Sequence, residues 1–297
     1  MKYRVVHTTA YHYESSISVS HNRVILTPRN CRWLRCLWHR LTVHPAPTWS
    51  IKRHDAFGNL VHVFGVEEGH TELLVTAASQ VEVSGQTLPL LSDSPAWEAL
   101  RLTSVGGPSK FNAEALEVAG FHFASPRIPL LPVFADYAKV SFLPRRPVLE
   151  AALELTQRLY RDFKYDPKST HVGTSVQEAF ALRRGVCQDF AQIMIACCRA
   201  LGLAARYISG YLRTLPPPGK ERLVGADQSH AWVSLYAGPE IGWVDLDPTN
   251  NGWCDHNHVP IAWGRDYTDI VPFRGVFLGD GRNRLQVSVD VCPLEND

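Results

Sequence analysis

The sequence predicts an α+β fold in two parts: a small N-terminal β-sandwich, then a core of helices packed on an antiparallel sheet. Three observations predict it. β-forming alternation is confined to residues 1–85, helical periodicity starts only after Pro147, and three strands follow the last helix. The order helix, helix, helix, strand, strand, strand belongs to an α+β unit rather than to a parallel βαβ one.

In residues 1–85, Tyr3-Arg4-Val5-Val6-His7 and Val61-His62-Val63-Phe64 cluster β-formers, and Gln80-Val81-Glu82-Val83 alternates cleanly. Asp55-Ala56-Phe57-Gly58-Asn59 is a turn signal and predicts a hairpin. About six to eight short strands without helical period make this part a sandwich. Residues 86–146 are punctuated by proline, with Gly106-Gly107-Pro108 in the middle, and are expected to be a connecting segment with short helices.

Residues 147–297 are expected to form the core. Val148, Ala152, Leu155, Leu159 and Phe163 fall on one helix face, with Pro147 in the first turn. Thr174-Ser175-Val176-Gln177 reads as a capping box opening a short helix that stops near Gly185. A third helix runs from about Cys187 to Leu201, with Phe190, Met194, Cys197 and Leu201 as its buried stripe and Gly202 as its end. Strands are expected at Ala205 to Leu212, His230 to Tyr236 and Trp243 to Asp247, the first two separated by the loop Pro216-Pro217-Pro218-Gly219.

Composition narrows the function. Thirty Lys and Arg against 29 Asp and Glu leave a formal charge of +1 on 297 residues, which argues against general nucleic-acid binding. No apolar run reaches the ~18 residues of a membrane helix. The longest apolar helix candidate, around Ile193 to Leu203, is interrupted by Arg199. Met1-Lys2-Tyr3-Arg4 leads into alternating residues rather than a signal-peptide core, so a cytoplasmic, reducing location is expected. Seven cysteines, an odd count without a CxxC pair, predict free thiols.

One thiol stands out. Cys187 follows Gly185-Val186 and opens a helix, where unpaired N–H groups and the positive end of the dipole favour a thiolate. Cys197 and Cys198, in mid-helix, read as inert core. His230 begins one strand and Asp247 ends the next, so antiparallel pairing would make them neighbours. A carboxylate on one imidazole nitrogen fixes the tautomer and frees the other for a thiol proton. Asp245 and Asp247 are expected on opposite faces, so that only one of them meets His230. Cys254-Asp255-His256-Asn257-His258 has the residue types of a metal site, but its spacing matches no recognised ligand pattern, and neither metal nor cofactor is expected.

Four stretches, in order, carry a resemblance: Gly185-Val186-Cys187-Gln188-Asp189-Phe190-Ala191, Arg199 through Tyr211, His230-Ala231-Trp232 and Asp247-Pro248-Thr249. Together they resemble the transglutaminase-like core. His7-Thr8-Thr9-Ala10-Tyr11-His12-Tyr13, Asp55 to Asn59 and Gly264 to Pro272 are similar to the bacterial members that carry an N-terminal β domain. The resemblance implies a papain-like fold with Cys187 as nucleophile, His230 as general base then acid, and Asp247 as orienting carboxylate. It also implies an oxyanion hole, with the Cys187 N–H as one donor and Tyr165 at the position of a second. Gln188, His258, Arg265 and Asp266 become candidates for the substrate side, although a structural Arg–Asp pair is the blander reading of the last two.

The implied reaction is acyl transfer through a Cys187 thioester on a peptide, protein or amide substrate, with hydrolysis as the favoured outcome. Protein-glutamine cross-linking is the close alternative; the acidic loops of calcium-regulated cross-linking enzymes are not evident. A non-enzymatic scaffold of this fold is a third reading, disfavoured because all three triad residues stand.

Overall fold

The computed structural model describes residues 1–101, 113–214 and 227–294. The expected Pro216–Gly219 loop and Gly106-Gly107-Pro108 lie outside them. Six strands open the chain: β1 (Lys2–Ile17), β2 (Val19–Val24), β3 (Leu34–His44), β4 (Trp49–His54), β5 (Leu60–Val66) and β6 (His70–Val83). Single 3-10 turns at Leu91–Asp93 and Trp97–Leu100 precede α1 (Ala113–Ala119), α2 (Pro132–Lys139) and α3 (Val148–Asp162). Then come β7 (Lys164–Tyr165), α4 (Val176–Leu182), β8 (Arg184–Gly185), α5 (Cys187–Ala200), β9 (Ala205–Leu212), β10 (Gln228–Tyr236), β11 (Trp243–Asp247), β12 (Gly252–Trp253) and β13 (His258–Gly264). The last two strands are β14 (Phe273–Leu278) and β15 (Asn283–Pro293).

β4 and β5 form the hairpin that the Asp55–Asn59 turn signal predicts. Asp55 takes the Phe57 and Asn59 N–H groups on Oδ1, which fixes the turn locally. The N-terminal strands make two antiparallel sheets, ordered β15-β1-β6-β3 and β14-β2-β5-β4. Val24, Phe64 and Val66 from one sheet, with Leu26 just past β2, meet Leu73, Val75 and Ala77 from the other, which is a sandwich core.

The expected division at residue 146 assigns all later residues to the core, and the sheets depart from it. β15 pairs with β1 from Tyr3↔Pro293 to Tyr13↔Asn283, and β14 pairs with β2. Residues 273–293 therefore complete the sandwich, one strand in each sheet. The physical reason is edge protection: without them, β1 and β2 would each present an unpaired edge.

The core sheet is ordered β12-β11-β10-β9-β13. α5 packs against it with hardly a solvent-facing position, its residues from Asp189 to Arg199 all buried. Val148, Ala152, Leu155, Leu159 and Phe163 pack into the same core, as their spacing predicts. Arg199 is reconciled with burial by carbonyls: its guanidinium donates to Ala205 O, Arg265 O and Phe123 O at 2.7–3.2 Å. Sheet and sandwich are joined by apolar contact, with Tyr3, Val5, Val289 and Val291 set against Tyr211, Val259 and Ile261.

Two local readings shift. The capping box is Ser175 with Glu178, not Thr174 with Gln177: Ser175 Oγ accepts from Glu178 N–H, and the Glu178 carboxylate accepts from Ser175 N–H. α4 ends at Leu182, short of Gly185, on Arg183 in the left-handed region (φ 52°). α5 ends as predicted, with Gly202 at φ +84° taking the bend that a side chain resists.

Candidate active site

The start of α5 is built around one carboxylate. Asp189 Oδ2 accepts the Val186 N–H at 2.8 Å and the Thr170 hydroxyl at 2.7 Å. A Cβ on Gly185 would lie 2.5 Å from that oxygen, so this cap needs glycine two residues before the cysteine. β7 clamps the same segment, with Lys164 N–H on Arg183 O and Asp166 N–H on Gly185 O, each at 2.9 Å. Asp189 serves Val186 and leaves the next donor alone. Among the described residues no acceptor meets the Cys187 N–H, which remains free at the positive end of the helix. The Cys187 thiol is partly exposed, whereas Cys197 and Cys198 are fully buried and burial pushes their thiols up, Cys198 to about 12.

β10 and β11 pair antiparallel, and this register brings their functional side chains together. His230 Nε2 is hydrogen-bonded to Asp247 Oδ2 at 2.7 Å, both groups being buried. The expectation that Asp245 and Asp247 face opposite sides is wrong, because residues two apart in a strand share a face. The two carboxylates stand side by side and are told apart by partner: Trp232 Nε1–H donates to Asp245 Oδ2 at 3.0 Å.

Asp247 is heavily donated to. Its Oδ1 accepts the N–H groups of Thr249 (2.9 Å) and Asn250 (3.2 Å), and its Oδ2 accepts from the Asn250 amide at 2.7 Å. Behind it, His258 Nε2 lies 3.1 Å from Oδ2, and Asp255 Oδ1 lies 3.0 Å from His258 Nδ1. Burial works against the charge on Asp247, but the bonds from His230 and His258 outweigh it and hold the carboxyl well below the usual range. Burial likewise works against a charged His230; bonding to Asp247 and to the Cys187 side chain overrides it and lifts the ring to about 10. The imidazole and the carboxylate are thus hydrogen-bonded, and the thiol lines the same cavity as the imidazole.

Cys187 and His230 open onto a cavity of about 310 Å³ shared with Gln188, Tyr207 and Tyr267. Its far wall comes from the sandwich.

A model of the transglutaminase-like superfamily matches residues 139–248, and one of the bacterial transglutaminase-like N-terminal region matches residues 3–82. The chain belongs to the transglutaminase-like superfamily. An uncharacterised protein of Mycobacterium bovis is 42% identical over all of this chain and 94% of its own length. A protein-glutamine gamma-glutamyltransferase of Pseudomonas aeruginosa is 30% identical over 51% of this chain and 22% of its own. A solved structure from Cytophaga hutchinsonii, of a protein proposed to be a cysteine protease, superposes with a TM-score of 0.77 at 22% identity, covering 100% of this chain and 92% of that one. That likeness is one of fold. Among the described residues no helix is long and apolar enough to cross a membrane.

The transglutaminase-like core treats the remaining sequence-predicted residues differently. Gln188 lines the cavity beside Cys187. Tyr165 sits on β7 across from Gly185, and burial, then the charge of Cys187, raises its phenol. His258 is buried away from the cavity lining and stands behind Asp247, bonded to its carboxylate. Arg265 is spent on Asp269, with Nε and Nη2 each 2.9 Å from its carboxylate oxygens. Asp266 is fully buried and accepts from Arg127 N–H and Thr268 N–H at 2.9 and 2.8 Å. Both pin the segment that presents Tyr267, which reaches the cavity as Pro272 at the end of that run also does.

His230, Asp247 and His258 also have the residue types of a metal site, their ligand atoms all within 4.8 Å of one another. Both ring nitrogens are hydrogen-bonded to one carboxylate oxygen, so an ion would have to break both bonds. Sequence reasoning missed Asn250, whose position three residues past Asp247 carries no signal of its own. It also missed the sandwich wall of the cavity, for which the His7–Tyr13 stretch was the available pointer.

Proposed function

We propose that this chain is a cysteine acyl-transfer enzyme that hydrolyses peptide or carboxamide bonds. The observation that carries the reading is the His230–Asp247 hydrogen bond in a cavity that Cys187 also lines, from a helix N-terminus where no described acceptor meets its N–H. Cys187 loses its proton to His230, and the thiolate attacks the substrate carbonyl. The developing oxyanion is met by the Cys187 N–H and the Tyr165 hydroxyl. The C–N bond breaks, His230 returns its proton to the departing amine or ammonia, and a thioester remains. Water, giving a proton to His230, then displaces the thiolate and releases the acid. Asp247 keeps the imidazole oriented and its cation favourable throughout, and His258 and Asn250 keep Asp247 ionised.

Iodoacetamide labelling at pH 6 tests the core of this reading. Cys187 is expected to be alkylated at least ~100-fold faster than Cys36, a thiol that is also partly exposed, and His230→Ala to abolish most of the difference. Equal, slow labelling of the two would favour a binding scaffold instead. Likeness to a protein-glutamine gamma-glutamyltransferase over half the chain supports a second reading, in which a lysine amine replaces water. A glutamine peptide with a labelled amine separates the two: ammonia release without amine incorporation marks hydrolysis, and release matched by incorporation marks cross-linking.

A further inference from the structure

Opposite Cys187, the cavity wall belongs to the sandwich. His7, Thr9 and Tyr11 come from β1, Phe273 from β14, and Leu285 and Val287 from β15. Among the described residues no acidic side chain, lysine or arginine lines this wall. Its one imidazole is occupied at both nitrogens, by Thr9 Oγ1 and the Tyr211 hydroxyl, each at 2.9 Å. Burial pushes that ring down to about 4, which keeps it neutral.

β15 is the edge of its sheet, and its backbone has a definite outward side. Val289 O accepts the Asp227 N–H at 3.1 Å, and Val291 N–H donates to Asp227 Oδ2 at 2.6 Å. Both groups therefore point away from β1. The register runs unbroken from Tyr3↔Pro293 to Tyr13↔Asn283, so the N–H and C=O of Val287 and Leu285 point the same way. Among the described residues nothing bonds to that side of either one. Asp227 leads directly into the strand that carries His230. The open edge therefore begins where a strand-like bridge stops, beside the nucleophile. Leu285 and Val287 are 51% and 52% exposed, unusual for large apolar residues on an edge strand.

We propose that Leu285–Val287 is a docking strand for the substrate: an extended peptide pairs with its free edge, continuing the line that Asp227 begins, and sets apolar side chains against Leu285, Val287 and Tyr11 while its carbonyl reaches Cys187. This rests on the acyl-transfer reading for what happens to the carbonyl, and on edge geometry for everything else. Backbone pairing supplies affinity, and the uncharged wall selects against acidic or basic residues flanking the scissile bond.

Binding without chemistry tests it. Fluorescein-labelled ten-residue peptides with a central glutamine, flanked by Val and Leu or by Glu, are titrated into full-length Cys187→Ser protein and followed by anisotropy. The apolar peptide is expected to bind at least about tenfold tighter than the acidic one, and N-methylation of its backbone amides, one at a time, to weaken it about tenfold at alternate positions. Leu285→Lys with Val287→Lys is expected to erase the apolar preference. Equal binding of the two peptides, or indifference to every N-methyl group, overturns the proposal without altering the protein. So does a light-scattering dimer whose edge the peptide cannot displace. The iodoacetamide result stands apart: peptide preference with an unreactive Cys187 would leave the docking strand standing and remove the enzyme reading.

Discussion

The surroundings of His230 favour its protonated form, and that couples the site to stability. Unfolded, the ring titrates at its ordinary value of 6.5; folded, bonding to Asp247 and Cys187 overrides burial and raises it. A raised pKa stabilises the fold fully below 6.5, and that contribution is lost as pH rises toward the folded value. Asp247 has the opposite sign, its contribution being present above the ordinary carboxylate range and lost as pH falls. The urea midpoint of the wild type is therefore expected to drop between pH 6 and pH 10, and that of His230→Ala to drop less over the same window. Parallel curves would mean that the ring does not carry this linkage. At this scale the sequence was informative where chemistry follows position. A cysteine opening a helix, and a histidine and an aspartate at adjoining strand ends, are local facts. Arg265 and Asp266 were less legible, because a charged residue looks the same in sequence whether it meets Asp269 or a substrate.

The entry to α5 depends on Gly185, Asp189 and Thr170 fitting together. Gly185→Ala puts a methyl group where the Asp189 carboxylate sits, so the cap must move. The expected cost is about 1–3 kcal/mol of stability, with slower alkylation of Cys187 as the freed N–H groups lose their alignment. Thermal unfolding and iodoacetamide rates on the same protein check both halves. Unchanged values would mean that the turn adapts. Long elements were legible because periodicity accumulates over turns, as in α3 and α5. Caps were legible only to within a residue. Thr174 and Ser175 are both good caps, and the choice falls to Ser175 because Glu178 reaches back to it, while Thr174 Oγ1 accepts from His171 N–H at 3.0 Å. The facing of Asp245 and Asp247 required only the two-residue period of a strand.

Across the whole molecule, the strands farthest apart in sequence lie side by side. β15 shields β1 and β14 shields β2, so a chain ended after Pro272 would leave two long edges bare. Such a truncation is expected to aggregate or to elute as mixed oligomers in size-exclusion chromatography, whereas a clean monomer with native circular dichroism would show that the sandwich closes without help. Nothing in residues 1–85 announced this, because pairing between Tyr3 and Pro293 leaves no local trace in either segment. The same closure sets an order of events on the ribosome. β1 is made long before its partner β15, so its outer edge stays bare until that late segment emerges and zips onto it.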